Sequence, residues 1–228
     1  MSRFRALLLC VLLMAVPAAI LASQPEPPVD LLDALRLGGY VIVLRHGATN
    51  TDVAKDGMSN PNKKGAGERQ LSDAGRAQAI AIGEGLRKLG IRVGTVMTSP
   101  LQRAVDTATL LGVGEVKINP FLTEAGTAIS REENDRRADI LRKLVGYHSG
   151  SDNLVIVTHR PNLIEAFGAS LADMHEGEAA VLEPDYTGDG YRVMARFQAD
   201  DWDLLVEAAR AEESAPHCER HKAEPHTD

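Results

Sequence analysis

The sequence runs to 228 residues, with 25 Lys and Arg against 32 Asp and Glu, a net charge of −7 and 44% hydrophobic side chains. A chain of this length buries one good core, and an acidic balance without a long basic run excludes nucleic-acid backbones and anionic membrane surfaces as natural partners. Aromatic residues make up only 4%, with Trp202 the single tryptophan, which excludes a stacking surface for sugars or bases as the main device. A small anion held by locally concentrated charge remains compatible with all of this.

Arg3 and Arg5 precede an uncharged apolar run from Ala6 to Ala22. This is the pattern of an export signal, with small residues at Ala18, Ala19, Ala22 and Ser23 for cleavage. Residues 1–22 are therefore expected to be a signal peptide and the mature protein periplasmic or secreted, without stable membrane insertion. An uncleaved anchor is the other reading, although the run sits at the short limit for a bilayer span. Removing residues 1–22 takes away two arginines and no acid, which brings the mature charge to −9, and leaves Cys218 as the one cysteine. An internal disulfide is then excluded, so the fold stands on its core.

Residues 23–28, with Pro25, Pro27 and Pro28, read as a tether. The domain is expected over 29–211. Leu31, Leu32, Leu35 and Leu37 predict a short helix stopped by Gly38 and Gly39, and Tyr40 to Leu44 predicts a strand buried on both faces. Residues 47–70 form a long aperiodic loop of the kind that survives when it has a function. Ser72 is placed to cap a helix from Asp73 to Leu89. A strand at Val93–Thr98, a helix at Leu101–Leu111, a short strand at Val116–Ile118 and an amphipathic helix at Arg131–Val145 follow. Asn153–Thr158 repeats the buried-strand pattern, and Pro161 suits the first turn of a helix. Ala179–Leu182 and Tyr191–Phe197 are further strands around a turn-rich 185–190. Residues 212–228 are expected to be a disordered tail, whose His217, Cys218, His221 and His226 offer only a weak case for metal capture. The alternation predicts an α/β three-layer sandwich, a mostly parallel central sheet with helices on both faces.

In an open α/β sheet, ligands bind beyond the carboxyl ends of the strands. The first strand ends in Arg45-His46-Gly47, the second in Thr98-Ser99-Pro100 with Arg103 one turn on, and the strand at 153–158 in His159-Arg160-Pro161-Asn162. Two imidazoles among guanidiniums suit a tetrahedral anion, because arginine donates to phosphate oxygens and a histidine kept neutral is a nucleophile toward phosphorus. A structural pair of imidazoles is the bland alternative. Metal ligation is another, but no acidic or thiol cluster accompanies them.

At these residues the chain resembles the histidine phosphatase superfamily, the phosphoglycerate-mutase-like proteins. Leu44 to Thr49 is similar to the Arg-His-Gly signature, Leu71 to Ala79 to the helix that follows it, and Ser99 to Ala108 to the second-arginine segment. Phe121 to Glu124 resembles the acid-bearing segment, and Val157 to His159 the second-histidine strand end. The five segments occur in the family's order. Asn50 and Asp52, and Arg160 after His159, depart from the acid phosphatase and phytase branch, and residues 56–70 lack the tryptophan of the mutases. The resemblance is thus to an exported, bacterial-type member of the smaller branch. Ala48 stands where many members have Glu or Gln.

The resemblance implies a phosphomonoesterase in which His46 is the nucleophile and forms a phosphohistidine. Arg45, Arg103, His159 and Thr49 would hold the phosphoryl group, and Glu124 would protonate the leaving oxygen, with Glu132 or Asp106 as substitutes. Arg103 could instead spend itself on a salt bridge to Asp106 or Glu124. Arg160, Arg69 and Asn50 are candidate substrate contacts, with Lys63 and Lys64 in the same basic set. The expected partner is a small phosphorylated substrate, with no cofactor, no metal and no nucleic acid. A non-catalytic phosphoryl-binding domain of the cell envelope and a metal-dependent hydrolase are the rival readings.

Overall fold

A computed structural model of the chain describes residues 29–50, 69–124, 129–185 and 190–214. The expected signal and tether, loop residues 51–68 with Lys63 and Lys64, and the tail from 215 with its histidines and Cys218 lie outside the described residues. Among the described residues the order is α1 (Val29–Leu37), β1 (Val41–Arg45), α2 (Asp73–Lys88), β2 (Val93–Thr98), α3 (Gln102–Leu111), β3 (Glu115–Ile118), α4 (Arg131–Gly146), β4 (Asn153–Thr158), α5 (Arg160–Phe167), β5 (Ala179–Pro184), β6 (Tyr191–Phe197) and α6 (Asp201–Ser214). No helix among them is long and apolar enough to cross a membrane.

The strands form one sheet in the order β3-β2-β4-β1-β5-β6. Four strands are parallel, while β5 runs antiparallel to β1 and β6 antiparallel to β5. The uninterrupted apolar runs of β1 and β4 have the cause expected for central strands, burial on both faces. Ile42, Leu44, Val155 and Val157 enter a core roofed by α1, α2, α3 and α6. Val41, Val43, Leu154 and Ile156 enter a second core under α4 and α5. Two cores divided by one sheet make the three-layer sandwich.

Helix α6 was not among the predicted elements, and it carries residues 212–214, which the tail was expected to include. Its segment is polar overall, but Trp202, Leu205 and Val206 fall on one face and close the first core. Ser72 caps α2 by accepting the Gly75 amide at 3.1 Å. The first turn of α2 lies directly against the end of β1: a Cβ on Gly47 would sit 2.5 Å from the Gly75 carbonyl oxygen, and one on Gly75 would sit 2.0 Å from the Ala48 carbonyl oxygen. Both glycines are therefore demanded by backbone approach. The Ser72 amide donates to the same Ala48 carbonyl at 2.9 Å, and the Ala48 amide donates to Gln78 Oε1 at 2.9 Å. These contacts clamp the turn that carries His46.

Candidate active site

Arg45 pairs with Thr158 across the parallel β1–β4 ladder, and Thr98 pairs with Val157 across β2–β4. Three strands thus end at nearly one level, and the residues that follow, His46, Ser99 and His159, leave the sheet together. The His46 and His159 rings lie 5.2 Å apart, centroid to centroid. Arg103 reaches them from the first turn of α3. All three side chains are buried, with His46 2% exposed, His159 0% and Arg103 4%.

The hydrogen bonds of His46 fix its tautomer. Nδ1 lies 2.9 Å from the Gly47 carbonyl oxygen, which can only accept, so Nδ1 carries the proton. Arg103 Nε donates to Nε2 at 3.2 Å, so Nε2 presents its lone pair. Burial lowers the pKa of His46 to about 4, with Arg103 adding to the shift and the Gly47 hydrogen bond working against it. The ring is neutral at neutral pH for the reason any buried base is: its charged form has lost its water. His159 is pushed further, to about 2, again by burial first and then by Arg103, His46, Arg69 and Arg45.

Arg103 spans the nucleophile candidate and the acid candidate. Its Nη2 donates to Glu124 Oε2 at 2.6 Å while its Nε holds His46. The salt bridge weighed for Arg103 therefore exists, and it sits inside the site. Asp106 and Glu132 do not share this place: Asp106 accepts from Gln102 and pairs with Arg76, and Glu132 lies in the first turn of α4. The Thr107 hydroxyl donates to the Arg103 carbonyl and accepts the Gly47 amide, which ties α3 to the His46 turn.

Arg45 donates Nη1 to the Met174 carbonyl at 2.8 Å and Nη2 to Glu176 at 3.3 Å. Its Nε and the Nδ1 of His159 are buried polar atoms without a partner in the protein. Arg45 Nε is a donor, and His159 Nδ1 is one in the tautomer that carries its proton there, so an oxyanion is a fitting partner for both.

Glu176 is the functional residue that reading the strand ends missed. It accepts from Arg45, from the Thr49 amide at 3.2 Å and from the Thr49 hydroxyl at 3.3 Å, and pairs with Arg69 at 3.7 Å. Thr49 and Arg69, expected among phosphoryl and substrate contacts, are placed by the structure on this carboxylate. Arg160 stands exposed, with its Nε on the Ala172 carbonyl, and Asn50 is exposed, with its amide on the Gln70 carbonyl. The signal for Glu176 lies in the direction of β5 rather than in a residue pattern. Because β5 runs antiparallel to β1, its beginning lies where β1 ends, so the turn before Ala179 belongs at the site.

Residues 41–130 match the model of the histidine phosphatase superfamily (branch 1). Over those residues the chain is similar to the histidine phosphatase superfamily. The match holds Arg45, His46, Arg103 and Glu124, while His159 and Glu176 lie beyond it. Among curated proteins the chain is 33% identical over 105 residues to the agropine synthesis reductase of Rhizobium rhizogenes, covering 44% of this chain and 22% of that one. It thus spans about a fifth of that relative's length. The protein histidine phosphatase SixA complexed with tungstate aligns with a TM-score of 0.52 at 16% identity, over 71% of this chain and 98% of its own. A phosphoserine phosphatase from Entamoeba histolytica, solved with 3-phosphoglyceric acid, aligns at 0.51 and 14% identity, over 69% and 95%. These likenesses establish that the fold of those two proteins is shared.

Glu176 competes for Arg45 with any bound oxyanion, while the Met174 carbonyl keeps Arg45 aimed without it. Glu176→Gln is therefore expected to tighten inorganic phosphate binding roughly threefold, a charge effect within about 1 kcal/mol. Isothermal titration of the two proteins checks this, and weaker binding in the variant would mean that Glu176 is needed to aim Arg45.

Proposed function

We propose that this protein is a phosphomonoesterase that passes the phosphoryl group through Nε2 of His46. The observation that carries the proposal is the neutral, buried His46, its Nε2 lone pair held beside Arg103 and flanked by the two unpartnered donor positions of Arg45 and His159. In the first step the Nε2 lone pair bonds to phosphorus as the ester P–O bond breaks, and the leaving oxygen takes a proton. Glu124, a carboxylate paired with Arg103 in the free protein, is the group assigned to give it, after taking the proton that the phosphate monoanion brings. In the second step water attacks phosphorus, the P–N bond breaks, its electron pair returns to Nε2, and the water proton passes to the Glu124 carboxylate. Arg45, Arg103 and His159 bear the charge on the transferring oxygens through both steps. The Gly47 carbonyl holds the Nδ1 proton and stabilises the ring as it gains positive character.

The substrate class is a small phosphate monoester. Its recognition depends on local rather than net charge, since Arg45, Arg69, Arg103 and Arg160 are gathered at one sheet edge of an acidic protein. The proposal also places the enzyme outside the cytoplasm, on the strength of the charged start and apolar run of residues 1–22.

Three outcomes are expected. His46→Ala should lower kcat/KM on aryl phosphates by about a thousandfold or more. In the wild type, protonation consumes the Nε2 lone pair, so activity, corrected for substrate ionisation, should stay level down to about pH 5 and fall through about 4. An active His46→Ala protein, or an acid limb at the ordinary histidine value, would contradict the assignment. For export, N-terminal sequencing of protein recovered from the periplasmic fraction should begin close to Ser23; an intact Met1 there would contradict cleavage.

A further inference from the structure

The hydroxyl of Ser99 is wholly buried between two groups. The amide of Leu101, the residue that precedes the first turn of α3, donates to Ser99 Oγ at 3.2 Å. Ser99 Oγ in turn lies 2.8 Å from Nε2 of His159. A backbone amide can only give a proton and a serine hydroxyl has one to give, so the direction of the second bond can be worked out. Were Nε2 protonated, Oγ would accept twice and its own hydrogen would be buried without an acceptor, a cost comparable to a lost hydrogen bond. With Ser99 as donor, amide, hydroxyl and ring nitrogen form one satisfied chain, and the single proton of the neutral ring sits on Nδ1.

Nδ1 is the atom of His159 that has no partner in the protein. Its ring lies 5.2 Å from that of His46 and within the electrostatic reach of Arg103 and Arg45. As N–H it offers a bound oxyanion a hydrogen bond, whereas as a lone pair it would repel the same oxygen. Ionisation cannot supply a second proton, because burial keeps this ring neutral. The choice of tautomer therefore decides whether the second histidine helps or hinders the anion.

We infer that Ser99 is a positioning residue that locks His159 in the Nδ1–H form, relaying the direction of the Leu101 amide at the start of α3 into the phosphoryl pocket. The catalytic consequence rests on the phosphatase reading above, while the tautomer stands independently of it.

Nitrogen-15 NMR of the full-length, histidine-labelled protein at neutral pH reads the tautomer, with His159 identified by the resonances that vanish in His159→Asn. The expected result is a pyrrole-type Nδ1 and a pyridine-type Nε2 for His159. Ser99→Ala should move the ring toward the Nε2–H form that predominates for neutral histidine in water and lower kcat/KM about tenfold. Ser99→Thr, which keeps the hydroxyl, should retain the Nδ1–H form and the activity. A wild-type His159 protonated on Nε2 overturns the inference, as does an unchanged ring in Ser99→Ala. The expected tautomer in a protein that hydrolyses no phosphate monoester supports the hydrogen-bond assignment and counts against the phosphatase reading.

Discussion

In the parallel ladder between β1 and β4, Arg45 faces Thr158, so the next residue on each strand leaves the sheet at the same height. That register is the constraint on which the site depends. A slip of one residue would turn His46 or His159 toward a helical layer and invert the alternation of both central strands. It would also bring Val41 and Val43 into the core filled by Ile42 and Leu44, at the expense of both hydrophobic layers. The burial that stabilises the sheet is thus the same burial that places two imidazoles side by side. The clamp of Gly47 against Gly75 then fixes the angle at which the His46 turn leaves the sheet.

From that placement the electrostatics follow. An imidazole taken out of water prefers its neutral form, and guanidiniums nearby press in the same direction. The fold therefore supplies a base that keeps its lone pair well below the pH at which a solvated histidine would lose it. Fixed carbonyls do the rest. Gly47 decides which ring nitrogen of His46 keeps its lone pair, and Met174 aims Arg45. Glu124 and Glu176 each hold one of the arginines, so the site's positive charge is distributed over oriented groups rather than left as loose cations.

Much of this was legible in the amino-acid sequence because it obeys local rules. The β-branched runs at 41–44 and 153–158 announce central strands, Ser72 announces a helix start, and polar residues at the strand ends point to Arg45, His46 and His159. Less visible were features that depend on chain direction. Glu176 lies 131 residues from its partner Arg45 and enters the site only because β5 is antiparallel. The role of Ser99 depends on which way a hydroxyl points, which no residue pattern encodes. Helix α6 was overlooked because its apolar stripe is carried by Trp202, Leu205 and Val206 within a segment that is otherwise polar. The net charge of the chain, −7 overall, gave no hint of the arginines gathered at one edge.

The central claim is that the phosphoryl group rests covalently on Nε2 of His46 between the two half-reactions. Rapid quenching of wild-type protein in base during turnover of an aryl phosphate, followed by peptide mass spectrometry under conditions that preserve phosphohistidine, tests it directly. The account predicts a transient phosphoryl group on the peptide containing His46, absent from His46→Ala. Turnover with no phosphorylated peptide, or with the phosphoryl group on another residue, would contradict it.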